Sequence, residues 1–323
     1  MWHFTGFVIG LVVPGMVVVM GVSALSGAPV AGGQALSESL NQKLAFAFAK
    51  HQKLILLGGS SVRYGYSAKY IEETLGIPAV NLATNVGLGR KYLLYYARHA
   101  VRNGDLVVLP FEYQLYEKEK PDTVKSIQVL AFDQGFLSSM KFLERLDFLV
   151  HVEVLDWVRL ALAKFLLVDS PERRPSNSLL NEWGDETHNP RSLARPERVK
   201  ALQNAFRRSF KLDTQAIEDI VEFGNFALER GARVIVAYPN MLRGALDIEG
   251  NAAFLRDIKI ILESKGIPVI GTPESVLFNE SEIFDSIYHV NNEWQIIGSL
   301  RLVRGLEEMG LLHMQALGLT AGD

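Results

Sequence analysis

Apolar residues fall along this chain in short blocks closed by glycine or proline, and the stretches between them carry apolar positions at helical spacing. Residues 54–57 (Leu-Ile-Leu-Leu), 79–82 behind Pro78, 106–109 before Pro110, 233–237 before Pro239, and 268–270 are the blocks. Their length and punctuation predict five buried strands. Between them the pattern predicts helices over 38–51, 68–75, 91–102, 214–230 and 252–265, the last four stopped by Gly76, Asn103-Gly104, Gly231 and Gly266. Short apolar strands alternating with helices specify an α/β fold, a five-stranded parallel sheet covered on both faces in three layers. From about 114 to 210 this rhythm breaks. That interval is too long for a crossover and too apolar for disorder, so it reads as a mainly helical insertion.

The amino terminus follows another pattern. Residues 4–25 contain no charged side chain and are long enough to cross a bilayer of about 30 Å as a helix. Residues 1–26 are therefore expected to be a transmembrane anchor or a signal segment, with small residues at 24–29 that would suit a signal peptidase. Residues 27–50 read as a tether and a lead-in helix, and 51–323 as the folded domain. A second apolar stripe, 148–168, is interrupted by His151, Glu153, Asp156, Arg159 and Lys164, which keeps one face polar and favours packing over a second span. Residues 171–196, with four arginines, read as a surface loop.

Composition narrows the chemistry. The 323 residues carry 33 Lys and Arg against 36 Asp and Glu, a net charge of -3, which gives no case for nucleic acid. No cysteine is present, which excludes disulfides and thiolate metal sites, and the seven histidines lack zinc-motif spacing. No metal or organic cofactor is implied.

A buried strand that breaks at Gly58-Gly59 into Ser60-Ser61 has the form needed to hold a hydroxyl at its carboxyl end. Serine is a weak nucleophile and needs a base held by a third group. Asp285 and His289 supply that pair, one helical turn apart if the segment winds. Ser60 is the expected nucleophile, with Ser61 as the alternative. The N–H groups of Ser60 and Gly87 and the side chain of Asn85 are candidate oxyanion donors. Arg63, Glu112, Tyr113, Tyr238 and Asn291 are candidates for contacting substrate, and Asn81 for tying a loop.

Gly58-Gly59-Ser60-Ser61-Val62-Arg63-Tyr64-Gly65, then Val80-Asn81-Leu82-Ala83-Thr84-Asn85-Val86-Gly87, then 285–291 resemble the first, second and last blocks of the SGNH/GDSL hydrolase superfamily. That resemblance implies a flavodoxin-like sandwich and serine acyl chemistry. The layout resembles membrane-anchored SGNH-like proteins of extracytoplasmic polysaccharide O-acylation. It implies a domain outside the cytoplasm that moves an acyl, chiefly acetyl, group on a polysaccharide, with a membrane-bound O-acyltransferase as acyl supplier. The superfamily's third block places Gly-x-Asn-Asp after the third strand; here the chain reads Leu109-Pro110-Phe111-Glu112-Tyr113-Gln114. No asparagine is present there to complete an oxyanion hole, and an ionised Glu112 would repel the oxyanion. A non-catalytic scaffold gripping a polysaccharide or a membrane partner is the alternative.

Overall fold

The computed structural model describes residues 33–119, 123–145 and 180–310. The chain forms two compact units, one from residues 1–39 with 121–177 and the other from 40–120 with 178–323. In chain order the elements are α1 (Gly33–Phe48), β1 (Leu54–Leu56), α2 (Ser60–Gly65), α3 (Ala68–Leu75), β2 (Ala79–Asn81), α4 (Arg90–Arg98), β3 (Leu106–Leu109), α5 (Thr123–Phe132) and α6 (Gln134–Ser139). They continue with α7 (Pro196–Phe206), α8 (Thr214–Glu229), β4 (Arg233–Ala237), β5 (Met241–Leu242), α9 (Ala252–Ser264), β6 (Val269–Ile270), β7 (Leu277–Phe278) and α10 (Asn292–Glu308).

In the first unit α5 and α6 pack on one another, and Asp133 caps α6 by accepting from Phe136 N. No helix among the described residues is long and apolar enough to cross a membrane. The segment expected to span the bilayer, 4–25, and the stripe 148–168 lie outside the described residues.

The second unit holds the sheet. Its order is β2-β1-β3-β4-β6, parallel throughout, with Leu54 in register with Ala79 on one side and Leu106 on the other. All five strands coincide with the blocks read from the sequence. Side chains alternate across a strand, so each apolar block serves both faces. Leu54, Leu56, Leu106, Val108, Ile235 and Ile270 form one core with Val62 of α2, Ile71 of α3 and Leu302, Val303 and Leu306 of α10. Helix α8 packs on β4 and against α4 and α9. Each fully buried aliphatic side chain in such a core contributes about 1.5–3 kcal/mol.

From β1 the chain first moves outward to β2 and then returns past β1 to β3. This reversal lies between β1 and β3, so loops leaving their carboxyl ends diverge and open the crevice where ligands of such sheets bind. At the opposite, amino end, Asp105 ties β1 to β3. It accepts from Lys53 N at 3.1 Å and Arg102 N at 2.8 Å, and its Oδ2 lies 2.6 Å from Lys53 Nζ, both side chains fully buried.

Several expectations require correction. Residues 33–39, read as tether, are the first turns of α1. Helix α4 stops at Arg98 rather than 102. The part of the presumed surface loop from 181 to 189 is knitted into the sheet edge. Asn81 N donates to Trp183 O at 2.8 Å, and Lys43 Nζ donates to Asn81 O and Gly184 O. Gly184 has φ +79, and a Cβ there would lie 2.5 Å from Asn81 O. Asp185, 2% exposed, caps α3 by accepting from Ala68 N at 2.7 Å and Lys69 N at 3.1 Å. These side chains are polar because their partners are backbone amides and carbonyls, so a hydropathy pattern reads them as surface.

Candidate functional site

Ser60 is the first residue of α2, at the carboxyl end of β1. Strand and helix meet so closely that neither preceding position has room for a side chain. A Cβ on Gly58 would lie 2.4 Å from Val62 Cγ2, and one on Gly59 would lie 2.5 Å from a Glu112 oxygen and 2.7 Å from Val86 Cβ. The result is a sharp turn that holds Ser60 half-buried at the sheet edge. Among the described residues neither its N–H nor its hydroxyl has a hydrogen-bond partner.

Ser61 is a different kind of serine. It is fully buried, its hydroxyl donates to Pro110 O at 3.4 Å and its N–H to Glu112 Oε1 at 2.8 Å. That geometry removes it as an accessible nucleophile. Glu112 reaches across from the end of β3 and accepts from Gly59 N as well, at 3.2 Å through Oε2. It is wholly buried and points into the elbow, so it is neither an exposed substrate contact nor aimed at an oxyanion above Ser60. Burial pushes its carboxyl above the usual range, and the Ser61 and Gly59 amides pull it back in part.

Asp285 and His289 sit on a hairpin-like loop rather than a helix. Ile283 and Val290 form an antiparallel bridge, Phe284 N donates to His289 O at 2.7 Å, and His289 N donates to Ser286 O at 3.0 Å. The loop nevertheless brings the pair together, with Asp285 Oδ1 2.6 Å from His289 Nδ1. The other carboxylate oxygen accepts from Arg198 Nη1 of α7 at 3.0 Å. The imidazole lies against the Tyr64 ring, centroids 4.5 Å apart and 34° tilted. Tyr64 is one turn after Ser60, so the histidine is held beside the helix that starts with the serine. No hydrogen bond joins Ser60 to His289; bonds of this kind commonly close only with substrate in place.

The charge states suit a base and its orienting acid. Burial pulls His289 below the ordinary imidazole value of 6.5, Arg198 and Arg63 press the same way, and Asp285 offsets only part of this. At neutral pH the ring is therefore neutral and able to accept a proton. Burial would raise Asp285, but the hydrogen bond and charge of His289 with the nearby Arg198 and Arg195 hold it below the usual carboxylate range.

The remaining candidates separate clearly. Asn85 Oδ1 accepts from Gly87 N at 2.8 Å, so the Gly87 amide is already engaged and does not serve an oxyanion. That leaves Ser60 N–H, with the Asn85 side-chain amide in the same loop region. Arg63 pairs with Glu186, itself 2% exposed, and lies over the Tyr64 ring at 5.4 Å. Its guanidinium is committed to fixing α2 rather than free for substrate. Tyr113, Tyr238 and Asn291 are buried. Tyr113 packs on Phe210 and Phe254, and Asn291 Nδ2 donates to Ser281 O, so these side chains shape the core and the loop. Asn81 ties a loop, accepting from Ala83 N at 3.0 Å.

Sequence reasoning missed Tyr64, Glu186 and Arg198 as site residues. Only Tyr64 carried a signal, its position four residues after the serine. A pocket of about 570 Å³ is lined by Val86, Gly89, Gln114, Lys118 and Lys211 among others, and Ser60, Asp285 and His289 are not part of its lining. Among the described residues no cluster of three His, Cys, Asp or Glu side chains could hold a metal ion. No protein-family model matches this chain, and no curated protein matches it.

Proposed function

We propose that this chain is a serine O-acyltransferase or esterase of SGNH type, with a flavodoxin-like sandwich, working outside the cytoplasm from an amino-terminal membrane anchor. The observation that carries the reading is the 2.6 Å Asp285–His289 pair held against α2, the helix that begins at Ser60. Ser60 attacks the acyl carbonyl, neutral His289 takes the hydroxyl proton and returns it to the leaving group, and Asp285 orients the imidazole and stabilises its charged form. The acyl group, taken to be acetyl, then passes to a hydroxyl of a polysaccharide or to water. The pocket lined by Val86, whose side chain adjoins Gly59, is of the size that holds one small ligand and is the proposed seat for an acceptor sugar. A membrane-bound O-acyltransferase is the proposed acyl supplier, since the layout of an anchor followed by this domain and its insertion resembles that of proteins paired with such enzymes.

Acetyl release from para-nitrophenyl acetate by the full chain tests this. The expected result is activity lost in Ser60→Ala and His289→Ala and retained in Ser61→Ala. Equal activity of Ser60→Ala and the parent would refute it. Addition of an acceptor glycan separates transfer from hydrolysis by whether acetyl appears on the sugar.

A second reading, a non-catalytic scaffold on the same fold, is favoured by one specific observation: the Gly59 and Ser61 amides are filled by a carboxylate and the Gly87 amide by Asn85. It expects no reaction of a folded sample with a serine-directed fluorophosphonate.

A further inference from the structure

The position that departs from the resembled SGNH pattern is buried and bonded through both of its side-chain oxygens. Glu112 is 0% exposed, and its two oxygens accept separately from the amides on either side of Ser60. An acceptor-only group facing two donors is the pattern of an ionised carboxylate. The contact is tight, since any Cβ at Gly59 would collide with it. The bonds bridge the carboxyl ends of β1 and β3, the two strands at the reversal of the sheet, so they fix the elbow to the strand beside it. Phenols of Tyr66, Tyr116 and Tyr288 lie within electrostatic reach of Glu112, and burial pushes all three above their usual range, so they remain neutral around it.

Resting on the proposed role of Ser60, we infer that ionised Glu112 is a positioning residue: by clamping the Gly59 and Ser61 amides it fixes the backbone that aims the Ser60 hydroxyl and N–H at the substrate. It touches no reacting atom. Glutamine is the informative replacement, because it keeps the volume while its amide sets a donor against one of the two N–H groups. Misplacement of a reacting group by about 1 Å can cost a hundredfold in rate.

The test is the rate at which a fluorophosphonate labels Ser60 in the full chain, a step that forms the serine O–P bond, releases fluoride and passes the hydroxyl proton to His289. Glu112→Gln is expected to slow labelling at least tenfold while the thermal transition shows a folded protein. In the parent the rate should fall at low pH in two protonations, one at His289 and one at Glu112, the second costing at least the factor lost in the glutamine variant. In Glu112→Gln it should fall with a slope of one. Labelling of Glu112→Gln at the parent rate overturns the inference and leaves the Ser60 reading intact. If that variant does not fold, the parent profile decides: a fall fitted by a single protonation down to the pH at which the protein unfolds overturns the role of Glu112. A folded parent that never labels at Ser60 overturns the nucleophile and the inference together.

Discussion

Replacement of Asp285 distinguishes two ways in which a carboxylate can help a histidine. Asp285 holds His289 Nδ1 through one oxygen and Arg198 Nη1 through the other. Arg198 can only donate, so in Asp285→Asn the side-chain carbonyl turns to the guanidinium and the NH₂ faces the imidazole. That donor forces the proton onto Nε2, the nitrogen that accepts from Ser60 in the proposed mechanism. In Asp285→Ala the ring loses orientation but keeps access to the useful tautomer. A charge-assisted hydrogen bond is worth about 1.5–3 kcal/mol. At about 1.36 kcal/mol per tenfold, the alanine variant should lose roughly 10- to 100-fold in kcat. The wrong tautomer costs about ten thousandfold in triads of this kind, so asparagine should be the more damaging change by two orders of magnitude. Both substitutions also remove the charge that holds the His289 pKa up, while burial, Arg198 and Arg63 still press it down. The acid limb of the residual activity must therefore move to lower pH. The assay is kcat for para-nitrophenyl acetate against pH, with parent and both variants side by side. Asparagine and alanine variants equal within threefold, or an acid limb that moves up, would refute the argument.

Two further outcomes follow from buried groups. Burial, with a smaller push from Arg63, brings Lys43 down from 10.5 to about 7, against the pull of Asp185 and Glu186. Between those values the unfolded chain holds a proton that the folded one lacks, so stability rises with pH across the window and is lost again as pH falls towards 7. Urea midpoints at pH 7 and pH 9 should show a rise in the parent that is smaller in Lys43→Met; an equal rise in both would place the titration elsewhere. Lys53 is also lowered and contributes in both proteins, which is why the difference is the quantity to read. Gly59→Ala drives a methyl to 2.5 Å from Glu112 and 2.7 Å from Val86. It should cost about 1–3 kcal/mol of stability and abolish fluorophosphonate labelling, whereas a parent-like labelling rate would show that the elbow has slack.

The strands were legible because a parallel sheet buried on both faces needs continuous apolar runs, and each run here ends at glycine or proline. Asp285 and His289 were legible as a contacting acid–histidine pair, and the contact survived a wrong local conformation: spacing of four serves a helix, but the bridge between Ile283 and Val290 closes a hairpin that brings the same two side chains together. Glu112 was not legible in its role. Along the sequence it is a single acid between Phe111 and Tyr113. In space, the reversal between β1 and β3 puts it next to the amides of a turn 51 to 53 residues earlier. The 181–189 segment was misread for the same reason, since polar residues bonded to backbone look like solvent-facing ones.

Those misread acids share one task. Glu112 accepts from the amides at the start of α2, Glu186 grips Arg63 in the last turn of α2, and Asp185 caps α3 directly after it. Each is at most 2% exposed, and each bonds to a group that would otherwise be left with an unpaired donor. A six-residue helix has little stability of its own. Pinned by carboxylates at its start, at its last turn and at the start of the helix that follows, α2 becomes a rigid ledge carrying Ser60 and Tyr64. A single loop, closed by the Ile283–Val290 bridge, then docks an aspartate–histidine pair against that ledge through the Tyr64 ring, with Arg198 holding the carboxylate from the other side. On the proposed mechanism, substitutions behind α2 should alter the reactivity of Ser60, whereas substitutions at 198 and 285 should alter both the rate and the pH at which His289 works.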